Sequence, residues 1–150
     1  MTILSAQSIR KRGIFTPFHE RTVSNGMTFG LGPAGYDVRI AETVTLDPAQ
    51  RAVLASTIEH FAMPNDCSAY VKDKSTWARQ FVLVQNTVIE PGWRGHLTLE
   101  ISYEGVEPIT IRAGSPIAQI VFHMLDEPTE IIYNGKYQDQ AAGPQPARLE

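Results

Sequence analysis

The sequence predicts a single all-β domain over residues 1–150, built as a sandwich or a barrel. Two observations carry that expectation. From position 36 onward, short runs of alternating apolar and polar residues recur at intervals of about ten residues, punctuated by Pro, Gly, Asn and Asp. Only two stretches have helical character instead. With 150 residues and 43% hydrophobic content, the chain can bury one proper core but not two.

The elements follow in order. "LSAQSIRKRG" reads as a short helix, with Ser5 as N-cap and Leu4 and Ile9 as its apolar edge. Lys11 and Arg12 suit the last turn, and Gly13 suits the left-handed position that ends it. The Gly-rich "NGMTFGLGPAGYD" reads as loop. "YDVRIAETVTL" then alternates through Tyr36, Val38 and Ile40, and the runs "IEHFAM", "SAYVK", "FVLVQNTVI", "HLTLEISYE", "PITIRA", "IAQIVFHML" and "TEIIY" continue the series. Between them, "KDKSTWARQ" is the second helical piece. In "IEPGWRGHLTLEIS" the turn Pro91-Gly92 precedes a strand that sets Leu97, Leu99 and Ile101 on one face. His96, Thr98 and Glu100 fall on the other. The tail "NGKYQDQAAGPQPARLE" reads as an irregular arm that crosses to another subunit, which makes the protein an oligomer.

Charge and cysteine content exclude several functions. A formal net charge of -3 argues against binding to nucleic acid or to a membrane surface, and no apolar run nears the roughly 18 residues that span a bilayer. In "MTILSAQSIRKRG" the positive charges follow the apolar residues, the reverse of a secretory signal. A lone Cys67 allows no internal disulfide and fits the reducing cytoplasm. The zinc-dependent base deaminases need a C-x-x-C pair and an H-x-E motif. Neither is present, and His19, His60, His96 and His123 lie far apart, so the sequence argues against zinc.

Two polar clusters remain. "KDKSTWAR" gathers Lys72, Lys74 and Arg79 with Ser75 and Thr76 where a helix would begin, a composition suited to an anion and equally common on solvated surfaces. "AGYDVR" alone is a turn before a strand.

Together, and in order, the clusters resemble the dCTP deaminase and trimeric dUTPase superfamily, on its dCTP deaminase branch. "ILSAQSIRKRGIF" is similar to the N-terminal helix of the deaminases, and "AGYD" to the first motif in its dUTPase spelling. "KSTWAR" resembles R-S-S-x-A-R, "IEPGWRGHLTLE" resembles I-D-P-G-[WF]-x-G-x-x-T-L-E, and "AGSPIAQIVF" resembles P-G-x-x-I-A-Q-L-x-F. "KYQDQAAGPQPAR" is similar to K-Y-x-x-Q-x-G-P-x-x-S-R. The resemblance implies a distorted β-barrel or jelly roll of the dUTPase-like type, with a short N-terminal helix and a C-terminal arm, assembled as a homotrimer. It implies zinc-independent hydrolysis of dCTP to dUTP and ammonia, with Glu100 as the proton shuttle and Ser75 and Arg79 orienting the water and stabilising charge. Lys74, Ser75, Thr76 and Arg79 would hold the nucleotide. Glu90 would meet the sugar 3′-hydroxyl, Trp93 would lie against the deoxyribose, and Thr98 and Leu99 would line the base through their backbone. Gln119, Tyr133, Lys136 and Gln140 would complete a triphosphate clamp, partly from a neighbouring subunit, with Mg2+ bound through the phosphates and water.

The chain departs from that pattern in three ways. It is short before "KSTWAR" and before "KYQDQ". Lys74 stands where the family has Arg, and Glu90 where it has Asp. Dual dCTP deaminase and dUTP diphosphatase activity, dUTP diphosphatase activity alone, and a non-catalytic nucleotide-binding relative are the competing readings.

Overall fold

The chain opens on the expected helix, α1 (Ala6–Arg12), with Leu4 and Ile9 buried beneath it and Gly13 left-handed at φ 62° just past its end. The Ser5 carbonyl accepts the first helical bonds from Ser8 and Ile9, while its hydroxyl turns to that of Ser8, 3.3 Å away. In the computed structural model, residues 2–85 and 87–149 are described. They form β1 (Phe15–Thr16), β2 (Thr22–Ser24), β3 (Met27–Gly32), β4 (Gly35–Arg39), β5 (Val44–Leu46), β6 (Ala52–Ala62) and β7 (Cys67–Asp73). After the short α2 (Ser75–Ala78) come β8 (Val82–Gln85), β9 (Val88–Ile89), β10 (Arg94–Tyr103), β11 (Ile109–Ile111) and β12 (Pro116–Met124).

The strands form a four-stranded sheet in the order β1-β6-β10-β8, a six-stranded sheet β2-β3-β4-β12-β7-β9, and a ribbon β11-β5. Alternation places Tyr36 and Val38 of β4, Phe61 of β6, Leu99 and Ile101 of β10, and Ile120 and Phe122 of β12 in one core. Phe15 joins the two large sheets. Its ring stacks on Tyr36 at 4.0 Å and meets Phe61 and Phe122 edge-on at 4.9 and 5.8 Å. Burial pushes the Tyr36 hydroxyl up to about 12, so it stays protonated, and it accepts the His19 N–H at 3.0 Å.

The structure corrects the sequence reading in three places. The Gly-rich stretch is no loop: β3 and β4 form a hairpin in which Leu31 pairs with Tyr36. Gly30, Gly32 and Gly35 do have the spacing of a dinucleotide fingerprint. Here, however, they join two antiparallel strands rather than a strand and a helix, so no phosphate cradle forms. "FVLVQNTVI" is two strands in different sheets, because β8 pairs with β10 whereas β9 pairs with β7; Asn86 between them lies outside the described residues. "TEIIY" forms no strand, since no strand lies beside it, and Ile131 remains 86% exposed. β10 itself keeps the expected alternation, with Leu97 packed against the core beside Leu99 and Ile101, and the irregularity lies in β6. Between the pairs His96↔His60 and Thr98↔Ser56 the register shifts. The Thr57 hydroxyl fills the gap, accepting the Leu97 N–H at 3.0 Å and donating to the Glu59 carbonyl at 2.8 Å.

One buried charge pair ties β4 to β6. Glu59 is fully buried, and both its oxygens are used: they accept the Arg39 backbone N–H at 2.9 Å and its Nε at 2.8 Å. The guanidinium also lies over the Phe29 ring, 4.4 Å from its centre. Removing one partner of such a pair leaves a buried charge without compensation and costs roughly 3–5 kcal/mol. Arg39→Met should therefore lower unfolding free energy by about that much in urea titrations. Arg39→Met with Glu59→Leu should regain most of the loss.

Candidate active site

The turn that opens "IEPGWRGHLTLEIS" is tight because Pro91 and Gly92 supply what it requires. The Trp93 N–H donates to the Glu90 carbonyl at 3.2 Å, with Gly92 at φ 79° between them. Trp93 is buried against Phe61, and its indole N–H reaches the Tyr137 carbonyl at 2.8 Å. The C-terminal arm is thereby fastened to β10. Gly95 permits the closest approach, since a Cβ there would lie 2.7 Å from the Gln140 backbone nitrogen. The buried Gln140 donates to the His96 carbonyl at 2.7 Å and to the Thr98 hydroxyl at 3.1 Å, and the Gln145 N–H shares that hydroxyl at 3.1 Å. Gln138 bonds the Arg94 N–H and the carbonyls of Gly92 and Tyr133. Residues 133–148 thus pack on their own chain. They do so because β10 and the turn before it offer them polar groups close at hand.

Arm and sheet enclose a cavity of about 710 Å³, within the range of small-molecule sites. Six residues singled out from sequence line it: Glu90, Trp93, Thr98, Glu100, Tyr133 and Gln140. Apolar walls come from Leu54, Val88, Ile89 and Leu97. Glu100 lies on the outer face of β10, opposite Leu54 of β6. It is open to solvent on one side, yet partial burial pushes its carboxyl above the usual range, and a hydrogen bond from its own backbone pulls only partly back.

The remaining candidates lie elsewhere. Leu99 sends its side chain into the core and offers only its backbone. Lys136 is exposed, with its ammonium 5.7 Å from the centre of the Tyr137 ring. Gln119 sits on β12 between Asp37 and Lys72, its side chain packed over Gly35. Ser75, Thr76 and Arg79 are exposed on and just after α2, which Trp77 anchors by donating its indole N–H to the Pro116 carbonyl at 2.7 Å. Lys74 is held by Asp37 at 2.7 Å, which links "KSTWAR" to "AGYD". One chain therefore carries two groups of candidate residues on separate surfaces. The sequence reading missed Tyr137, Gln145 and Leu54. The first two lie inside the "KYQDQAAGPQPAR" match, whereas only the β6–β10 register reveals Leu54. Burial pushes the Cys67 thiol up to about 11, which leaves it unreactive.

The sequence model of the dCTP deaminase-like family matches residues 36–125. A dCTP deaminase from Campylobacter hominis is 36% identical, with 96% of this chain and 92% of that protein covered. The chain belongs to the dCTP deaminase-like family. Its fold is that of the dUTPase-like all-β proteins. The crystal structure of 2′-deoxycytidine 5′-triphosphate deaminase from Agrobacterium tumefaciens superposes with a TM-score of 0.61 at 21% identity, covering 81% of this chain and 48% of that one. A mutant dUTPase from phage phi11 of S. aureus, described with a structural Mg(II) ion, gives 0.58 at 17% identity, covering 79% and 92%.

The raised carboxyl of Glu100 has a consequence for stability. As pH rises, the unfolded chain loses this proton first, near 4.5, so stability falls until the folded group has also ionised. Glu100→Gln removes that loss. Its melting temperature should match wild type at about pH 4 and exceed it at about pH 8, as read by calorimetry at both values.

Proposed function

We propose that this protein hydrolyses dCTP to dUTP and ammonia, with Glu100 as the proton shuttle. The observation that carries the reading is a carboxylate with raised proton affinity on the wall of a nucleotide-sized cavity, in a chain of the dCTP deaminase-like family. Glu100 takes a proton from water as the oxygen attacks C4 of cytosine. It delivers that proton to N3, then takes the hydroxyl proton of the tetrahedral centre and passes it to the amino group, which leaves as ammonia while the C4 carbonyl forms. The leaving group requires protonation, so a carboxyl whose proton affinity lies nearer neutrality serves both steps better than an ordinary one. Trp93 lies against the deoxyribose and Glu90 meets its 3′-hydroxyl, while the backbone of Thr98 and Leu99 lines the base.

Ser75 and Arg79, which orient the water and stabilise developing charge, do not line the cavity of their own chain. In our reading a neighbouring protomer of a homotrimer brings them, together with Lys74 and Thr76, to the open side of the cavity beside Glu100. Gln119, Tyr133, Lys136 and Gln140 hold the triphosphate. Among the described residues no cluster of three His, Cys, Asp or Glu side chains forms a cation cage. Mg2+ would be carried on the phosphates and water, where it would screen phosphate charge during binding. No helix among the described residues is long and apolar enough to cross a membrane, and a nucleotide-pool enzyme would act in the cytoplasm.

The likeness to dUTPases keeps dUTP diphosphatase activity as a second reading. Glu90 opposes it: one methylene more than the family Asp displaces a water-positioning carboxylate by about 1 Å, enough to cost roughly a hundredfold. Incubation with dCTP should therefore release ammonia and accumulate dUTP rather than dUMP. Glu100→Gln should lower turnover by about 100-fold to 10,000-fold with nucleotide affinity similar to wild type. Glu90→Asp should retain deamination and gain some pyrophosphate release. Near-wild-type turnover in Glu100→Gln would contradict the mechanism.

A further inference from the structure

Two residues beyond Glu100, on the same outer face of β10, stands Ser102. Its hydroxyl oxygen is the only buried side-chain nitrogen or oxygen among the described residues that lacks a hydrogen-bond partner. Its cross-strand neighbours explain why: Ala52 of β6 and Leu83 of β8 flank it, and neither has a polar side chain. A buried hydroxyl without a partner is disfavoured.

The space for that partner is present. A second cavity, of about 240 Å³, is lined by Ala52, Val53, Leu54, Glu100, Ile101 and Ser102. It shares Leu54 and Glu100 with the main cavity, so the Glu100 carboxyl stands at the junction of the two. Residues two apart on a strand are about 7 Å apart along it, and a water accepting from one oxygen and donating to another spans roughly 5.5 Å. A Glu side chain leaning along the strand closes the difference. On the other side of Glu100, both lone pairs of the Thr98 hydroxyl already accept, from Gln140 and Gln145 of the arm. The Ser102 hydroxyl has neither lone pair nor proton engaged.

We propose that Ser102 is a positioning residue: its hydroxyl holds a water against the Glu100 carboxylate and so fixes the rotamer from which Glu100 acts. This rests on the proposed deaminase function. Ser102 donates to the water oxygen, and the water donates to the carboxylate, which favours its charged form. Without Ser102 the carboxylate is free to swing toward the second cavity and away from the base.

The decisive comparison is Ser102→Thr against Ser102→Val, which have the same shape and differ in the hydroxyl alone. Both suit a strand. Ser102→Val and Ser102→Ala should lower kcat roughly tenfold to a hundredfold with KM within about twofold, while Ser102→Thr stays within about threefold of wild type. In Val and Ala the acid limb of the kcat profile should also move to higher pH, a change that a purely structural role does not produce. Equal kcat and unshifted limbs in Val and Thr, with an active wild type, would overturn the proposal. If the wild type itself fails to turn over dCTP, the functional reading fails, but the Ser102–Glu100 link is still measurable. NMR titration of the 13C-labelled Glu100 carboxyl should show a higher pKa in Val than in Thr, and identical values would overturn the link.

Discussion

Strand β10 must satisfy two environments at once, and the rest of the molecule is arranged around that constraint. It pairs with β6 on one side and β8 on the other, so its backbone is committed along much of its length. Its inner face carries Leu99, Ile101 and Tyr103 into the core, and its outer face carries Thr98, Glu100 and Ser102. The backbone of a strand whose other face is core cannot drift without moving the core. Glu100 therefore gains a fixed origin from packing that has no chemistry of its own. The Thr57 hydroxyl sets where the regular stretch begins, because it replaces the ladder partner that the register shift removes.

The arm completes what the sheet starts. Residues 133–148 have few apolar side chains to bury, and their attachment is polar: Gln138, Gln140 and Gln145 each find a group on the Gly92–Thr98 segment. Gly95 is required by that contact, since any side chain there would strike the arm. The result is a cavity walled by apolar sheet residues and roofed by amides. In the proposed reading the base lies against these walls, shielded from water on one side. The cluster at α2 is arranged on a different principle. Lys74 is tied to Asp37, and Ser75 and Arg79 face outward, available to another surface rather than to their own cavity.

Much of this was legible in the sequence, for identifiable reasons. Alternation with period two found most strands because one face of each sheet is core, and Gly13 marked the end of α1 because few other residues adopt φ 62° comfortably. The motif matches found Glu100 and five other cavity residues. The failures are equally physical. Glycine usually signals a turn, but in β3 and β4 it permits close backbone packing, so a hairpin was read as loop. "TEIIY" has the composition of a strand and no partner, and composition alone does not supply one. The irregularity in β6, where the Thr57 hydroxyl takes the place of a ladder acceptor for Leu97, is a contact across 40 residues with no local signature. The arm's place on its own chain was not legible because the sequence shows no surface for it. That surface is made by Trp93 and Gly95 only once β10 has formed.

The central claim is that the carboxylate on β10 and the cations and hydroxyls at α2 act in one site supplied by two protomers. Mixing two single-site variants tests it directly. Glu100→Gln and Arg79→Ala are each expected to be nearly inactive alone. When the two are unfolded together and refolded as mixed trimers, a site that draws Glu100 from one protomer and Arg79 from its neighbour has an intact pair in about one case in four. The account predicts recovery of dCTP deamination to about a quarter of the wild-type rate. Mixed trimers no more active than the separate variants would contradict it.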